Sequence, residues 1–337
     1  MKSCFKILFA AACVAAWASC SGKTCKLQGT IEGIEGLENP ILLIGETRAE
    51  SDTVKIENGA FSYACPIDDS KMLNILFLCD NQPRDKRFHA NFVPDSKEIN
   101  IAIGKETSVE GSPLTDTFYD FIKKVNEVED YDAYLECAKQ AYQDNCQNVL
   151  GAKFFREFAR ELSVEEFDEY IAMGTEELKN DEKMAKIREG LVAAESTAVG
   201  SKYLDFKGVS PDGKEVSLSD FVGKSKLTLV DFWASWCGPC MRSMPAMAEL
   251  WKNWHKKGLD MVGVAVWDGD NSASRKRIEE KRMVWPQIFV GDDKTATDIY
   301  GISGIPHVII IDAEGTILYR DVPDEEVIKA LVEEKLQ

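Results

Sequence analysis

The sequence predicts an α/β C-terminal domain, preceded by an all-β, sandwich-like N-terminal domain and a helical middle segment. Three patterns carry that reading. From Ser201 onward, apolar strand-like runs alternate with charged helix-like ones, as an α/β sheet requires. Between Lys26 and Glu110 the apolar or alternating runs are short, and Gly, Asn, Asp and Pro punctuate them. Between Leu114 and Val199 the chain is rich in Glu, Lys, Ala and Leu and has no proline. The expected parts are 1–20, 21–110, 111–200 and 201–337, and 337 residues suffice for two or three compact units. The net charge of −17 argues against a nucleic-acid partner, whose phosphates need a basic surface.

Residues 1–20 do not look like part of the fold. Lys2 and Lys6 give a positive start, and Ile7 to Trp17 is an apolar run too short for a confident membrane span. Ala18-Ser19-Cys20 then places small residues before a cysteine. This resembles a bacterial lipoprotein signal peptide, which implies cleavage before Cys20 and a lipid anchor on Cys20. Trp17 departs from the usual aliphatic residue, and an uncleaved anchor or an ordinary signal peptide is the alternative. Each version puts the mature chain in the cell envelope, and the lipoprotein reading holds it to a membrane on the periplasmic side.

Residues 21–25 read as a tether. Strands are expected over Leu27–Ile31, Ile41–Ile44, Thr53–Ile56, Phe61–Ala64, Leu73–Leu78 and Ile99–Ile103, in a small antiparallel domain. Asp52-Thr53-Val54-Lys55 followed by Asn58-Gly59-Ala60-Phe61 resembles the N-terminal domain of unknown function that precedes redox domains in many envelope lipoproteins. His89 sits in the polar run Arg84–Asn91 and reads as a solvated loop residue. Gly111-Ser112-Pro113 marks a boundary. Beyond it, Phe118, Phe121, Ile122 and Val125, then Phe154, Phe155, Phe158 and Leu162, recur at helical spacing. Ser163 with Glu166 reads as a capping box for a helix carrying Phe167, Tyr170 and Ile171. We read these aromatic stripes as core, a partner-binding face being the alternative, and Glu176–Arg188 as a solvated helix face.

In the C-terminal part a hairpin is expected around Asp212-Gly213, then a strand Leu227–Trp233, a helix Met241–His255 and a strand Asp260–Val266. A charged helix Ser272–Arg282, a short helix ending at Asp298–Tyr300, and strands Val308–Ile311 and Ile317–Arg320 around Asp312-Ala313-Glu314-Gly315 follow. A last helix starts after Pro323.

The chemistry sits between the first of these strands and its helix, at Trp236-Cys237-Gly238-Pro239-Cys240. Thiols three residues apart on one helical turn can close a disulfide with little rearrangement. Cys237 falls at the helix N-terminus, where free N–H groups and the macrodipole favour an anion. A free thiol has a pKa of about 8.5, and such a position lowers it. Cys237 is therefore the expected attacker and Cys240 the resolving thiol. Half a structural zinc site is the bland alternative, but it needs two more ligands. There is no second Cys-x-x-Cys, and the histidines are only His89, His255 and His307. Of ten cysteines, Cys25, Cys65, Cys79, Cys137 and Cys146 are left over. Buried small apolar residues are the preferred reading for each, with Cys137–Cys146 a bridge worth testing.

Trp-Cys-Gly-Pro-Cys after Val230-Asp231-Phe232-Trp233-Ala234 resembles the active site of thioredoxin-like proteins. Gly301-Ile302-Ser303-Gly304-Ile305-Pro306-His307 resembles that family's cis-proline loop, and the lead-in Asp205-Phe206-Lys207-Gly208, Asp212-Gly213-Lys214 and Leu218-Ser219-Asp220-Phe221 narrows the likeness to the TlpA/ResA branch of thiol-disulfide oxidoreductases. The resemblance implies a thioredoxin-like fold over 201–337. It makes Ile305 and Pro306 substrate-contacting, Pro245 the helix-kinking proline, and Asp231 the buried acid beneath the resolving thiol. Asp231 becomes the candidate proton acceptor for Cys240, its carboxyl raised by desolvation; a structural acid paired with lysine is the alternative. Trp233 and Trp236 are expected to form an apolar shoulder by the disulfide that receives partner chains, with Trp236, Gly238 and Pro239 contacting the substrate, although Trp233 could equally be core. Ser243 stands where relatives often carry a glutamate. Gly238-Pro239 and Ile305 favour a reductase. His307, after Pro306, is read as the start of a strand.

The expected function is reduction of protein disulfides, with protein disulfide or dithiol clients, an upstream electron donor, and no metal or organic cofactor. The alternatives are a scaffold lipoprotein with a secondary redox domain and a thiol peroxidase. The latter wants a Pro-x-x-x-Thr-x-x-Cys arrangement, which Cys237 lacks.

Overall fold

A computed structural model describes residues 24–34, 36–80, 89–104 and 107–337. The expected signal over 1–20, with Cys20, lies outside the described residues, as do most of the tether and the polar run before His89. One compact unit ends at Phe154, and a second runs from Phe155 to Gln337. No described helix is long and apolar enough to cross a membrane.

The first unit contains β1 (Thr24–Ile31), β2 (Glu38–Gly45), β3 (Asp52–Lys55), β4 (Ala60–Pro66), β5 (Leu73–Asp80), β6 (His89–Phe92), β7 (Glu98–Ile103) and β8 (Ser108–Glu110). They form two four-stranded sheets, ordered β4-β1-β7-β8 and β3-β2-β5-β6. Each sheet is apolar on one face, because inward residues alternate with outward ones along a strand. Cys25, Leu27 and Ile99 of one sheet share a core with Leu42, Ile75, Phe77 and Phe92 of the other, so the unit is a sandwich. The expectation of a purely antiparallel domain needs correcting. β7 runs parallel to β1, because it arrives by crossing from the other sheet rather than through a hairpin. β6 and β8 were not foreseen. β6 begins in a polar run, and β8 is three residues long. His89 is exposed as expected, but it opens a strand opposite Leu76 instead of lying in a loop.

Two helices complete this unit, α1 (Pro113–Asn126) and α2 (Tyr131–Asn145). Ser112 caps α1 and also donates to the Val93 carbonyl at 3.1 Å, while Thr115 Oγ1 accepts from the Val93 N–H at 2.8 Å. That exchange ties the helix start to the end of β6. α3 (Gly151–Phe158) follows.

The second unit continues with α4 (Val164–Met173), α5 (Glu176–Lys179) and α6 (Glu182–Ser196). The Ser163–Glu166 capping box forms, and Phe155 packs against Phe158 and Phe167 as core. The run Glu176–Arg188 is not one solvated face. It breaks at Asn180-Asp181, and its apolar residues Leu178, Met184 and Ile187 are buried.

A seven-stranded sheet then forms from β9 (Lys207–Val209), β10 (Glu215–Ser217), β11 (Leu227–Trp233), β12 (Leu259–Val266), β13 (Gln287–Gly291), β14 (His307–Asp312) and β15 (Ile317–Asp321). Its order is β10-β9-β13-β12-β11-β14-β15. The helices are α7 (Gly238–Trp254), α8 (Ser272–Lys281), α9 (Thr295–Asp298) and α10 (Glu325–Leu336). β13 had not been expected, and α9 stops at Asp298, short of Tyr300. Tyr300 is buried instead, its hydroxyl donating to the Leu204 carbonyl at 2.6 Å. β11 is buried along its whole length, and its residues alternate between two cores. Leu227, Leu229 and Trp233 share one with Cys237, Cys240 and Met244; Val230 and Phe232 share the other with Phe206 and Tyr300. Arg320 on β15 fixes the end of α6 to this sheet, donating to the carbonyls of Ala194 (3.2 Å) and Thr197 (3.3 Å), to Thr197 Oγ1, and to the Tyr300 carbonyl.

Candidate active site

β11 is a central strand buried along its length, and it delivers the chain to the turn Ala234–Trp236. Cys237 is the N-cap of α7, and Pro239 occupies the first turn, where no N–H partner is needed. The Cys240 N–H points at Cys237 Sγ at 3.1 Å, with the Ile305 carbonyl oxygen 3.8 Å from the same sulfur. Cys237 and Cys240 are bonded to each other, with Cα atoms 5.3 Å apart. Both are buried, while Trp236, Gly238 and Pro239 beside them are exposed. The structure therefore shows the oxidised state of a pair whose outer sulfur sits on helix N–H groups. On reduction those groups favour thiolate at Cys237 by about 0.3–1 kcal/mol. Among the described residues no group of three or more His, Cys, Asp or Glu is arranged to hold a metal ion.

Ile305-Pro306 is a cis peptide and leads into β14. The loop carrying it meets the disulfide through the Ile305 carbonyl, and both residues are half-buried. His307 starts β14 opposite Phe232. Val308 and Ile310 point to the face of the cysteines, whereas Ile309 and Ile311 point to the other. By alternation His307 also points away from the cysteines. Burial and the Arg320 charge push its pKa down to about 4, so it supplies no cation to the thiols.

The same alternation places Asp231 on the cysteine face of β11, between Leu229 and Trp233. It is buried, and among the described residues its Oδ2 has no hydrogen-bond partner and no lysine pairs with it. Desolvation alone raises its pKa from 3.8 to about 7. A carboxyl in that state can hold or accept a proton near neutral pH. Pro245 lies inside α7, and Ser243, in the glutamate position of relatives, bonds the Cys240 carbonyl at 2.9 Å.

The expected tryptophan shoulder needs revision. Trp233 is fully buried and donates through Nε1 to Gln287 Oε1 at 3.1 Å, so it is core. Trp236 is 62% exposed and stacks instead on Trp267, with ring centroids 6.4 Å apart, and donates to the Trp267 carbonyl at 3.2 Å. Trp267 has a φ of +57°, a left-handed conformation that a bulky residue rarely adopts. Next to it, Asp268 accepts from the Ser235 N–H at 2.7 Å and the Ser235 hydroxyl at 2.8 Å. It also accepts from the Ser274 hydroxyl of α8, and Arg277 of α8 donates to the Ser235 carbonyl at 3.2 Å. The loop before Cys237 is thus clamped to α8. Trp267, Asp268, Arg277 and Gln287 escaped the sequence reading. One signal could have found two of them: Trp267-Asp268 leaves the C-terminal end of a central parallel strand, where α/β sheets gather functional loops.

Known proteins resemble this chain in two stretches. The Redoxin family model matches residues 198–335, and a domain of unknown function, DUF4369, matches 25–118. The chain is 30% identical to the thiol-disulfide oxidoreductase ResA of Geobacillus thermodenitrificans over 36% of this chain and 68% of that protein. It is 31% identical to the ResA of Geobacillus kaustophilus over 36% and 68%. Among solved structures it is similar to the thioredoxin domain of a thiol-disulfide oxidoreductase from Bacteroides vulgatus, at 30% identity and a TM-score of 0.38, over 42% of this chain and 99% of that one.

Proposed function

The chain belongs to the TlpA/ResA-like thiol-disulfide oxidoreductases of the thioredoxin fold, and on that premise we propose that it reduces protein disulfides outside the cytoplasm. In this reading lipid on Cys20 holds it to a membrane at the periplasmic side of the cell envelope. The parts are a lipoprotein signal over 1–20, a β-domain over 21–110, a helical segment over 111–200 and the redox domain over 201–337. The observation that carries the reading is Cys237 Sγ, capped by the Cys240 N–H at the start of α7 and set beside the Ile305 carbonyl.

The cycle starts from the reduced pair. Cys237 thiolate attacks one sulfur of a client disulfide, and the other client sulfur leaves as thiolate. Cys240, having given its proton to Asp231, then attacks Cys237 Sγ. The client is released with both sulfurs reduced, and Cys237–Cys240 closes. A donor dithiol resets the pair by the reverse exchange. Trp236, Gly238 and Pro239 form the exposed rim that meets the client chain, and Ile305 and Pro306 line its other side. Support for Asp231 comes from its burial, its raised pKa and its place on the cysteine face.

Trapping tests this. With Cys240→Ala, a client should remain covalently bound to Cys237, and reducing agent should free it. Cys237→Ser should abolish both capture and disulfide reduction. Reduction that continues unchanged in Cys237→Ser would remove the proposal.

A further inference from the structure

The first unit holds a second pair of facing thiols. Cys25 on β1 lies directly opposite Cys65 on β4 in an antiparallel pair. Both side chains point inward. Cys25 is fully buried in the sandwich core, and Cys65 is partly buried against the same core. Each thiol lies close enough to the other to shift its proton affinity. Directly opposed residues of antiparallel strands hold their Cα atoms about 4.5–5.5 Å apart. A disulfide bridges Cα separations of about 4.4–6.8 Å. The register thus places the two cysteines within the range a disulfide spans. Cys79, the other described free cysteine among the strands, is on β5 in the opposite sheet.

We propose that Cys25 and Cys65 are a second dithiol, which closes to a cross-strand disulfide when the chain meets a disulfide oxidant. Cys65, the less buried thiol, loses its proton and attacks one sulfur of the oxidant. A mixed disulfide forms, and the first thiolate leaves. Cys25 then loses its proton and attacks Cys65 Sγ, expelling the second thiolate. Two S–H bonds are broken and one S–S bond is made. Two electrons and two protons pass to the oxidant, which ends as two thiols.

This bond differs in kind from Cys237–Cys240. Burial raises the Cys25 thiol, and burial together with Cys25 pushes Cys65 up to about 12. Thiolate is scarce, so the pair forms slowly. It has no helix N-terminus to favour an anion. The function that follows is a staple, not a turnover site. It closes a loop of about 40 residues and so removes freedom from the unfolded chain. It also fastens β1, the strand nearest Cys20, to its neighbour.

The test uses the full-length chain with Cys237→Ser and Cys240→Ser, so that the catalytic pair does not contribute. The protein is equilibrated in mixtures of reduced and oxidised glutathione, free thiols are alkylated, and peptides are mapped without reductant. The Cys25 and Cys65 peptides should be recovered joined, lighter than the two thiol peptides by two hydrogens. Both should lose alkylation together at one glutathione ratio. Oxidation should raise the melting midpoint of the first unit by at least about 5 °C. With Cys65→Ser added, Cys25 should stay alkylated and the rise should vanish. The proposal is overturned if both cysteines remain alkylated at a ratio that fully oxidises Cys237–Cys240 in the unaltered chain. Recovery of either one joined to Cys79 overturns it too. If the Cys65→Ser variant does not fold, the peptide map of the parent decides alone.

Discussion

Asp231 lies on the strand beneath the disulfide and Asp268 clamps the loop before it, and the two carboxyls do opposite things. Asp231 is buried with Oδ2 unpartnered and is protonated up to about pH 7 in the oxidised fold, whereas an unfolded aspartate ionises near 3.9. Between those values the native state holds a proton that the unfolded state has lost, so this group lowers stability as pH rises from about 4 to about 7. The penalty is absent below that window and constant above it. At 1.36 kcal/mol per pKa unit it amounts to roughly 4 kcal/mol. Asp231→Asn should therefore make the oxidised chain about 3 kcal/mol more stable at pH 8 and little changed at pH 4, read by urea unfolding at both. The same variant should slow resolution of the mixed disulfide by about 100-fold at pH 7, the size of a lost general base. A stability gain that is equal at both pH values would mean that Asp231 is ionised in the fold. Asp268, by contrast, acts through three hydrogen bonds that hold Ser235 and Ser274. Asp268→Ala should cost about 2 kcal/mol and lower kcat/KM for a disulfide client several-fold, with the Cys237–Cys240 bond still able to form. Ser235→Ala removes one of those bonds and should cost less on both measures.

At the scale of elements, the site depends on how closely β12 and β13 approach. Gly263 on β12 sits opposite Asp231, and a Cβ placed there would lie 2.2 Å from Gln287 Oε1. Only glycine leaves room for the amide that accepts from Trp233 Nε1. Gly263→Ala should push Gln287 away, strand the buried indole N–H and destabilise by about 2–3 kcal/mol in chemical unfolding. The cost should shrink when Gln287→Ala is already present, a coupling that a double-mutant cycle measures. Sequence reading could not reach this. It located β11, α7, β12 and the β14–β15 hairpin because each has a clear apolar period or turn signal. β13 is only Gln-Ile-Phe-Val-Gly, too short for a period to show, and β6 starts with His89 in polar surroundings. Cys237 and Cys240 stood out by their own spacing, whereas Asp231, Ile305 and Pro306 were named only through the resemblance of the motifs around them. Trp267 and Arg277 reach the site only through the chain's return after α7 and through α8, so no local pattern announces them. For the same reason the sequence left Trp233 between shoulder and core; strand alternation buries it, while the turn exposes Trp236. The parallel β1–β7 pair was hidden too, since pairing between distant strands leaves no mark on either run.

For the molecule as a whole, the two compact units carry different sulfur chemistry, and this separates their responses. The second unit is more than a redox domain with a leader, because α6 is built into its sheet. Arg320 draws its bonds from the last turn of α6, and Gly301, at φ +61°, lies so close that a Cβ would meet the Gly190 carbonyl oxygen at 2.1 Å. Arg320 is half-buried, and burial lowers its pKa, so the carbonyls around it compensate for a partly desolvated charge. Removing the guanidinium leaves the carbonyls of Ala194, Thr197 and Tyr300 without that donor. Arg320→Ala should then cost about 3 kcal/mol in the unfolding of the second unit. Chains with two compact units need not melt in one step. Calorimetry of the full chain should show Arg320→Ala lowering one transition and leaving the other in place. Reducing Cys237–Cys240 should move that same transition, while the state of Cys25 and Cys65 should move only the transition of the first unit. If Arg320→Ala shifts both transitions by the same amount, the units unfold together, and the sandwich and the redox fold are one cooperative structure.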